Sequence, residues 1–372
     1  MIKVLFLIHD LGQGGAERVL VNLVNNMDQT RFDISVIALF GGGVNEKYLA
    51  PHIHYRAVWP REIRGNSHIM KLLTPAQLHR ICVKEHYDIE ISYLEGPSAR
   101  VISGCEDENT KLVSWIHVEQ HTYKNLAKSF RSRNEAKKCY ERFDQNVCVS
   151  QYVNDDFCKI LDYQKPSCVL YNTVESDKIL MQAGEAAAEI QNEKALSLVA
   201  VGTLKPSKGY GRLLSIIKRL KEERYPVCLY ILGMGELQRE LERYIKAHGL
   251  NEHVRMLGYQ ANPYRYVEKC DLFVCASYAE GFSTAATEAL IVGTPVCTVE
   301  VSGMKEMLGE HDEYGIVTEN SEEALYQGIK RLLDDPELLA HYRKKAAERG
   351  AMFSTESTVR AVEEMLEGLL ER

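Results

Sequence analysis

The sequence predicts an α/β protein of two domains, each built on a parallel β-sheet, and three observations support this prediction. Short apolar segments of strand length alternate with helical segments along the chain. The order strand, glycine-containing turn and helix opens the chain at residues 2–27 and recurs at residues 195–223. With 372 residues, of which 45% are hydrophobic and 26% charged, the chain is long enough for two complete cores.

The first half begins with a predicted strand over residues 2–8, followed by the turn GQGGAER and a helix from about Ala16 to Met27. Further strands are predicted at FDISVIALF, YDIEISYL, KLVSWIH, NVCVS and SCVLYN, with helices at residues 71–85 and after Pro97. The glycines of the first turn do not have the G-x-G-x-x-G spacing, and no acidic residue closes a clear second strand. This argues against a dinucleotide site and leaves a tight turn between strand and helix.

The second half repeats the alternation. Strands are predicted at ALSLVAVG, CLYILG, VRMLGY, DLFVCA, PVCTV and IVT, and helices fill the intervals and run to the end of the chain. Residues 176–194, rich in Ala, Gln and Glu, predict a helix and a linker. We therefore place the domain boundary close to residue 174.

The stretch from residue 270 to residue 303 carries most of the predicted chemistry. Its strand DLFVCA leads through the loop SYAEGF to a helix that is expected to start at Ser283 or Thr284. The backbone amides of Gly281, Phe282 and Ser283 would then lie at the positive end of a helix, where a phosphate or diphosphate is favoured.

Two carboxylates flank this predicted anion site. Glu280 and Glu288 are eight residues apart, which on a regular helix is a rise of about 12 Å. At that spacing they are expected to accept hydrogen bonds from hydroxyls at the two ends of a nucleotide sugar. The alternative is two solvated glutamates, which the apolar neighbours of Glu288 disfavour.

Two other positions are predicted to meet a ligand at the carboxyl edge of a sheet. Lys205 and Lys208, in the turn TLKPSKGY, can neutralise a diphosphate and stabilise it as a leaving group, unless they are ordinary surface lysines. His117 ends the strand KLVSWIH, at the edge where open α/β sheets bind ligands, although a lone histidine can also be structural. The order H-V-E-Q-H is not the H-E-x-x-H of zinc sites, and no metal is expected.

These residues also carry a family resemblance. The segment EGFSTAATEALIVGTPV resembles the E-x7-E motif of the retaining glycosyltransferases of family four, and Ser302, Gly303 and Glu306 resemble the Gly-Gly-x-x-Glu that follows it. The turn TLKPSKGY is similar to the family's Gly-Arg-Leu-x-x-x-Lys-Gly, with Thr203 in place of the arginine. The resemblance implies the GT-B architecture, in which two Rossmann-like domains with parallel sheets face a deep cleft. Its expected parts are residues 1–173, residues 174–351 and a last helix, 352–372, that returns to the first domain.

The resemblance also implies an activity. A sugar would move from a nucleotide diphosphate donor, expected to be a UDP-sugar, to a hydroxyl of a glycan or lipid-linked glycan, with retention of configuration and without metal or cofactor. Such chains build bacterial surface polysaccharides and glycolipids. The implied catalytic residues are His117, Glu280 and Lys208, and the implied binding residues are Gly14, Gly15, Thr203, Lys205, Lys208, Gly233, Gly258, Tyr259, Gly281, Phe282, Ser283 and Glu288.

Two other functions are compatible with the same residues. A sugar-nucleotide epimerase of the same architecture would convert the donor without an acceptor. A catalytically silent partner subunit would either bind nucleotide sugar without turning it over or support a true transferase in a complex. The departures at Thr203 and Ser302 are the features that favour the silent partner.

Charge and cysteine content limit the kinds of partner that the protein is expected to bind and the cellular compartment that it is expected to occupy. The net charge of −7 argues against a protein that coats nucleic acid. Ten cysteines without a C-x-x-C pair predict reduced thiols in a cytoplasmic protein, and the seven-residue apolar N-terminus predicts a strand, not a signal peptide. Residues 124–142 form the most basic segment, which predicts either a solvated basic helix or contact with anionic lipid at the cytoplasmic face of a membrane.

Overall fold

A computed structural model describes the chain except for residues 13, 63, 64, 188, 189, 191–194, 281 and 372. The chain forms two compact units, one of Met1–Val174 with Thr355–Arg372 and one of Glu175–Ser354. The chain therefore leaves the first unit at Val174 and re-enters it at Thr355. The sequence placed these two crossings after residues 173 and 351.

The first unit is built on a seven-stranded sheet. Its strands are β1 (Ile2–Ile8), β2 (Phe32–Phe40), β3 (His54–Trp59), β4 (Ile89–Ser92), β5 (Lys111–Ile116), β6 (Gln145–Cys148) and β7 (Ser167–Val169). They are arranged in the order β3-β2-β1-β4-β5-β6-β7, and every neighbouring pair is parallel. Its helices are α1 (Gly15–Asn26), α2 (Asn66–Leu72), α3 (Pro75–Cys82), α4 (Pro97–Ile102), α5 (Tyr123–Leu126), α6 (Arg133–Tyr140), α7 (Gln151–Leu161) and α16 (Thr355–Leu370).

The second unit repeats the design with six strands. They are β8 (Leu196–Val201), β9 (Val227–Leu232), β10 (Val254–Gly258), β11 (Leu272–Cys275), β12 (Val296–Val299) and β13 (Ile316–Thr318), in the all-parallel order β10-β9-β8-β11-β12-β13. Its helices are α8 (Ser176–Ala183), α9 (Tyr210–Glu222), α10 (Gln238–Ala247), α11 (Tyr264–Val267), α12 (Thr284–Ile291), α13 (Met304–Leu308), α14 (Glu322–Asp334) and α15 (Pro336–Ala351). Both sheets confirm the predicted α/β class of two Rossmann-like units.

The predicted helix over residues 71–85 is confirmed in part by α3, but its start is wrong, because the chain breaks after Leu72 and α3 begins at Pro75. Thr74 caps α3 in a capping box with Gln77, and Pro75 occupies the first turn. The buried guanidinium of Arg100 donates hydrogen bonds of 2.8 and 2.7 Å to the carbonyls of Met70 and Leu73, at the end of α2. A distant cation thus stabilises the end of α2.

The predicted single basic helix over residues 124–142 is also wrong. The segment forms the short helix α5, a 3-10 turn at Ala127–Ser129 and then α6. Phe130 is buried between the two parts, and the Ser132 hydroxyl accepts the Glu135 amide at the start of α6. The burial of one aromatic ring and a new N-cap therefore interrupt the helix.

Helix α16 completes the first unit by packing against α1. A carboxylate oxygen of Glu363 accepts the Asp28 amide at 2.7 Å, and Arg31 Nη1 lies 3.2 Å from the other. The last helix is thus anchored to the loop that follows α1.

All ten cysteines lie in the described part of the chain, none is in a disulfide, and eight are buried. Within that same part, no helix has the length and apolar character needed to cross a membrane.

A buried ion pair joins α3 to the sheet of the first unit. His79 Nε2 lies 2.7 Å from Glu90 Oε2, and the Cys105 thiol lies beside them. Burial opposes protonation of the imidazole, but hydrogen bonds to Cys105 and Glu90 raise the pKa of His79 from 6.5 to about 9. The ring is therefore a cation at neutral pH.

This pair predicts a pH dependence of folding. A raised folded-state pKa gives a stabilising contribution that is complete below pH 6.5 and is lost as the pH rises to about 9. Wild-type protein should lose about 1–3 kcal/mol of unfolding free energy over this range through His79, as measured by urea unfolding. His79→Gln should flatten the dependence. His54→Gln, at the exposed pair of His54 with Asp33 (3.2 Å), should leave it unchanged. Equal slopes for wild type and His79→Gln would contradict the assignment.

Candidate functional site

Close backbone packing shapes the carboxyl edge of the second unit. Gly209 has φ +68°, and a β-carbon there would lie 1.8 Å from the Ala276 carbonyl oxygen. Gly233 has φ +139°, and a β-carbon there would lie 2.0 Å from the Gly202 carbonyl oxygen. Only glycine permits these approaches. Gly233, one of the implied binding residues, packs tightly here, and its missing side chain lets the ends of β8 and β9 come together.

Lys208 and Glu280 meet at this edge. Lys208 ends the 3-10 turn Pro206–Lys208 after β8, and Glu280 lies in the loop after β11. The ammonium Nζ is 2.5 Å from Glu280 Oε1, and the Ser277 hydroxyl donates to the same oxygen at 2.5 Å. Two of the predicted catalytic residues are therefore in direct contact.

Arg212 holds the two loops that carry this pair. From α9 its guanidinium donates to the carbonyl oxygens of Ala276 and Ser277 at 2.7 and 2.8 Å, and to Asn320 Oδ1 at 2.8 Å. The Tyr278 amide also donates to the Ser207 carbonyl at 2.7 Å. The loop after β8 and the loop after β11 are thus fixed to each other by backbone contacts.

Helix α12 starts where the sequence predicted. Ser283 is its N-cap, and the serine hydroxyl accepts the Ala286 amide. Glu280 precedes the cap, so the rise of a regular helix does not describe the spacing of Glu280 and Glu288, and that part of the prediction is wrong. Glu288 is half-buried within α12, and its Oε1 accepts the Tyr264 hydroxyl at 3.2 Å.

The other predicted donor residues differ in exposure. Tyr259, at the end of β10, is 72% exposed, and Thr203 and Lys205 are also exposed. Gly258 has φ +68° and open space at its β-carbon position. Phe282 is buried, with its ring 6.0 Å from that of Phe353, while Gly281 lies outside the described residues. An exposed tyrosine at a strand end is a suitable surface for stacking a base.

His117 lies at the carboxyl end of β5 in the first unit, as the sequence predicted. It is 7% exposed, and its ring centroid is 4.8 Å from that of Tyr93. Its amide donates to Glu95 Oε2 at 3.0 Å, and among the described residues its Nε2 has no hydrogen-bond partner. Burial lowers the pKa of His117 to about 3, so the imidazole is neutral at physiological pH.

The first glycine turn lies at the end of β1 in the same unit. Gly14 is the N-cap of α1 and Gly15 its first residue, and both are exposed. A β-carbon on Gly14 would meet a carboxylate oxygen of Glu17 at 1.9 Å, whereas Gly15 has open space. Gly15 is therefore the position where a ligand can approach the backbone.

Sequence reasoning missed four residues of these sites: Ser277, Arg212, Tyr264 and Glu95. Ser277 was detectable, because it lies in the same short loop as Glu280. The other contacts join residues between 22 and 108 positions apart, and no local pattern indicates them.

Comparison with known families decides the assignment. The family profile described as Glycosyl transferases group 1 matches residues 184–349, and that described as Glycosyltransferase Family 4 matches residues 13–178. The chain belongs to family 4 of the glycosyltransferases. The two matches fall on the two halves of this transferase, in which parallel sheets carry the sites described above.

Individual relatives agree with this assignment. The transferase is 29% identical over 360 residues, covering 95% of this chain and 96% of the relative, to N-acetylgalactosamine-N,N'-diacetylbacillosaminyl-diphospho-undecaprenol 4-alpha-N-acetylgalactosaminyltransferase of Campylobacter jejuni. A second enzyme of that organism, which adds N-acetylgalactosamine to a longer glycan on PP-undecaprenol, is 24% identical over 351 residues, covering 90% of each chain. The crystal structure of HepE from Anabaena in complex with UDP superimposes with a TM-score of 0.79 at 20% identity, covering 99% of this chain and 100% of that one. This structural likeness establishes the GT-B fold.

The close packing of Gly209 predicts that substitutions at Gly209 and Gly211, two residues apart, differ in their effect on the unfolding free energy. Gly209→Ala should cost more than about 2 kcal/mol of unfolding free energy, because its methyl group would collide with the Ala276 carbonyl at a positive φ. The matched change Gly211→Ala, in α9 with open space, should be neutral or stabilising by up to about 1 kcal/mol. Urea unfolding of both variants measures this, and similar effects at the two positions would be inconsistent with the packing described.

Proposed function

We propose that this glycosyltransferase moves a sugar from a UDP-sugar to a hydroxyl of a lipid-linked glycan, with retention of configuration and without a metal ion. The main observation behind this proposal is the charged edge of the second unit, where Lys208 and Ser277 both contact Glu280. UDP as the donor nucleotide is supported by the complex of the structural relative. Retention is supported by membership of family 4.

In this proposal the second unit binds the donor. Tyr259 stacks on the base, Glu288 accepts the ribose hydroxyls and Glu280 accepts sugar hydroxyls. Lys208 and Lys205 supply positive charge to the diphosphate. As the glycosidic bond to the diphosphate breaks, negative charge grows on the leaving oxygen, and fixed cations stabilise it. The protein itself thus supplies the positive charge that the leaving group needs.

The first unit supplies a neutral, apolar environment for the sugar and the acceptor. His117 is uncharged and carries a buried nitrogen that is unpartnered among the described residues, so it is suited to a hydrogen bond with a sugar hydroxyl. Gly15 leaves room for an acceptor to approach the start of α1. Exclusion of water from this half would limit hydrolysis of the donor.

A lipid-linked acceptor is supported by the names of the two Campylobacter relatives, which are transferases for glycans on diphospho-undecaprenol. The transferase would then serve bacterial surface glycan synthesis in the cytoplasm, at the inner face of the membrane.

A thermal-shift screen tests the donor site. UDP and UDP-sugars should raise the melting temperature, with larger shifts for tighter ligands at equal concentration, and excess EDTA should leave the shifts unchanged. GDP and ADP serve as controls for the base. If no nucleotide shifts the folded protein, the donor proposal fails and a silent partner subunit becomes the better explanation.

Two variants separate binding, measured by the same thermal shifts, from turnover, measured as release of UDP from the UDP-sugar. Glu288→Gln should weaken UDP binding about tenfold or more, because a charge-assisted hydrogen bond to the ribose is lost. His117→Ala should keep UDP binding within about threefold and lose most donor turnover, since its contact is with the sugar. Unchanged turnover in His117→Ala would remove this residue from the site.

The basic segment of residues 124–142 is proposed to contact anionic lipid. Lys124, Lys128 and Lys138 are exposed there, and Arg131 binds the carbonyls of Lys71 and Leu72. The Leu72 side chain beside them is 78% exposed. Cations around an exposed apolar residue are suited to an anionic membrane surface.

Vesicle co-sedimentation measures this contact. Changing Lys124, Lys128 and Lys138 together to Glu should reduce binding to phosphatidylglycerol-containing vesicles by about 100-fold or more, at about 1 kcal/mol per lysine. The matched triple change of the exposed Lys246, Lys269 and Lys344 in the second unit should have little effect. Equal losses in the two triples would mean that net charge, not this segment, governs binding.

A further inference from the structure

The ion pair of Lys208 and Glu280 closes the donor edge in this structure. Their side chains are 25% and 11% exposed, and together with Tyr210 and Ser283 they line a cavity of about 20 Å³. Such a cavity has room for about one water molecule. Because Glu280 already binds the Lys208 ammonium, a donor phosphate that binds Lys208 must compete with Glu280 for it.

This exchange leaves a carboxylate behind. Lysine is a compact charge on a single nitrogen, so turning it towards a phosphate oxygen weakens its hold on Glu280. Glu280 would keep the Ser277 hydroxyl and lose its cationic partner. A largely buried carboxylate without a charge partner is costly, and a nearby phosphate adds repulsion.

The first part of the loop that carries Glu280 is fixed in place. Arg212 binds the carbonyls of Ala276 and Ser277, and the Tyr278 amide is bonded to the loop that carries Lys208. The carboxylate therefore stays at the edge and must find a new donor there. Hydroxyl groups of a sugar attached to the diphosphate are such donors.

We propose that the Lys208–Glu280 pair makes the site select an intact nucleotide sugar over the free nucleoside diphosphate. This inference rests on the donor site of the proposed function. A nucleoside diphosphate binds Lys208 but supplies no hydrogen-bond donor to Glu280. A nucleotide sugar also binds Lys208, and its sugar hydroxyls donate hydrogen bonds to Glu280. The preference belongs to the pair and not to either residue alone.

The same exchange favours product release. Once the sugar has moved to the acceptor, its hydroxyls leave Glu280, and the carboxylate competes with the diphosphate for Lys208. The ion pair closes again as the nucleoside diphosphate departs. Product inhibition is thereby weak in the wild-type protein.

Calorimetric titration of two variants tests the proposal, with UDP and with UDP-glucose, UDP-galactose, UDP-N-acetylglucosamine and UDP-N-acetylgalactosamine as probes. The measured quantity is the selectivity, defined as the Kd of UDP divided by the Kd of the UDP-sugar that binds wild type most tightly. In Glu280→Gln, UDP should bind more tightly and the UDP-sugar more weakly, so the selectivity should fall by about tenfold or more.

The second variant should move the selectivity in the opposite direction. Ser277→Ala removes the hydroxyl that Glu280 keeps when Lys208 leaves, so UDP binding should weaken more than UDP-sugar binding and the selectivity should rise, by about threefold or more. Glu348→Gln, which breaks a Lys–Glu pair of 2.7 Å on α15, is the matched control and should change neither Kd. Thermal melts without ligand show that each variant is folded.

The outcomes distinguish this inference from the proposed function. If wild type binds UDP and a UDP-sugar but Glu280→Gln and Ser277→Ala leave the selectivity unchanged, the inference fails and the donor site stands. If Glu280→Gln and Ser277→Ala shift the selectivity in the same direction, the proposed exchange of Lys208 between Glu280 and the diphosphate is also refuted. If wild type binds neither UDP nor any UDP-sugar, the proposed function fails, and this inference fails with it.

Discussion

The charged edge of the second unit, where Lys208 meets Glu280, depends on one buried guanidinium. Arg212 extends from α9 to the two carbonyls that precede Glu280 and to the Asn320 amide, and its plane lies 4.2 Å from the Tyr278 ring. Without it, the buried carbonyls of the loop after β11 would lose their hydrogen-bond donors, at a cost of about 1–3 kcal/mol each. Because this cation is committed to backbone oxygens, it leaves Lys208 as the charge that pairs with Glu280.

The first unit provides chemistry of a different kind. Tyr93 and Trp115 pack around His117, with ring centroids 4.8 and 6.4 Å from the imidazole, and burial keeps that imidazole neutral. Glu95 fixes its backbone by accepting the amide. One unit therefore presents opposite charges on rigid loops, and the other presents an uncharged ring in an aromatic setting. Sequence alone indicated the position of His117 but not its protonation state, since the aromatic neighbours come from two strands.

Local sequence patterns predicted most of the secondary structure and the place of the site. The apolar segments predicted every strand of both sheets except β3 (His54–Trp59), which the sequence analysis missed. Ser283 marked the start of α12 because a serine before an alanine-rich helix is a typical N-cap. The patterns failed where a distant residue decides the local structure. The interruption between α2 and α3 is stabilised by Arg100, and the partner of Lys208 is 72 residues away. Such contacts follow from the topology of the sheet, which brings strand ends together regardless of their separation in the chain.

The return of α16 to the first unit has a consequence for biosynthesis. Residues that cover α1 and accept the Asp28 amide are made only after the whole of the second unit. A nascent chain that has completed the seven-stranded sheet still exposes one flank of its first helix until the second unit has emerged from the ribosome. The first unit is therefore completed only after the second unit has been synthesised, and a chain terminated within the second unit leaves both units unfinished.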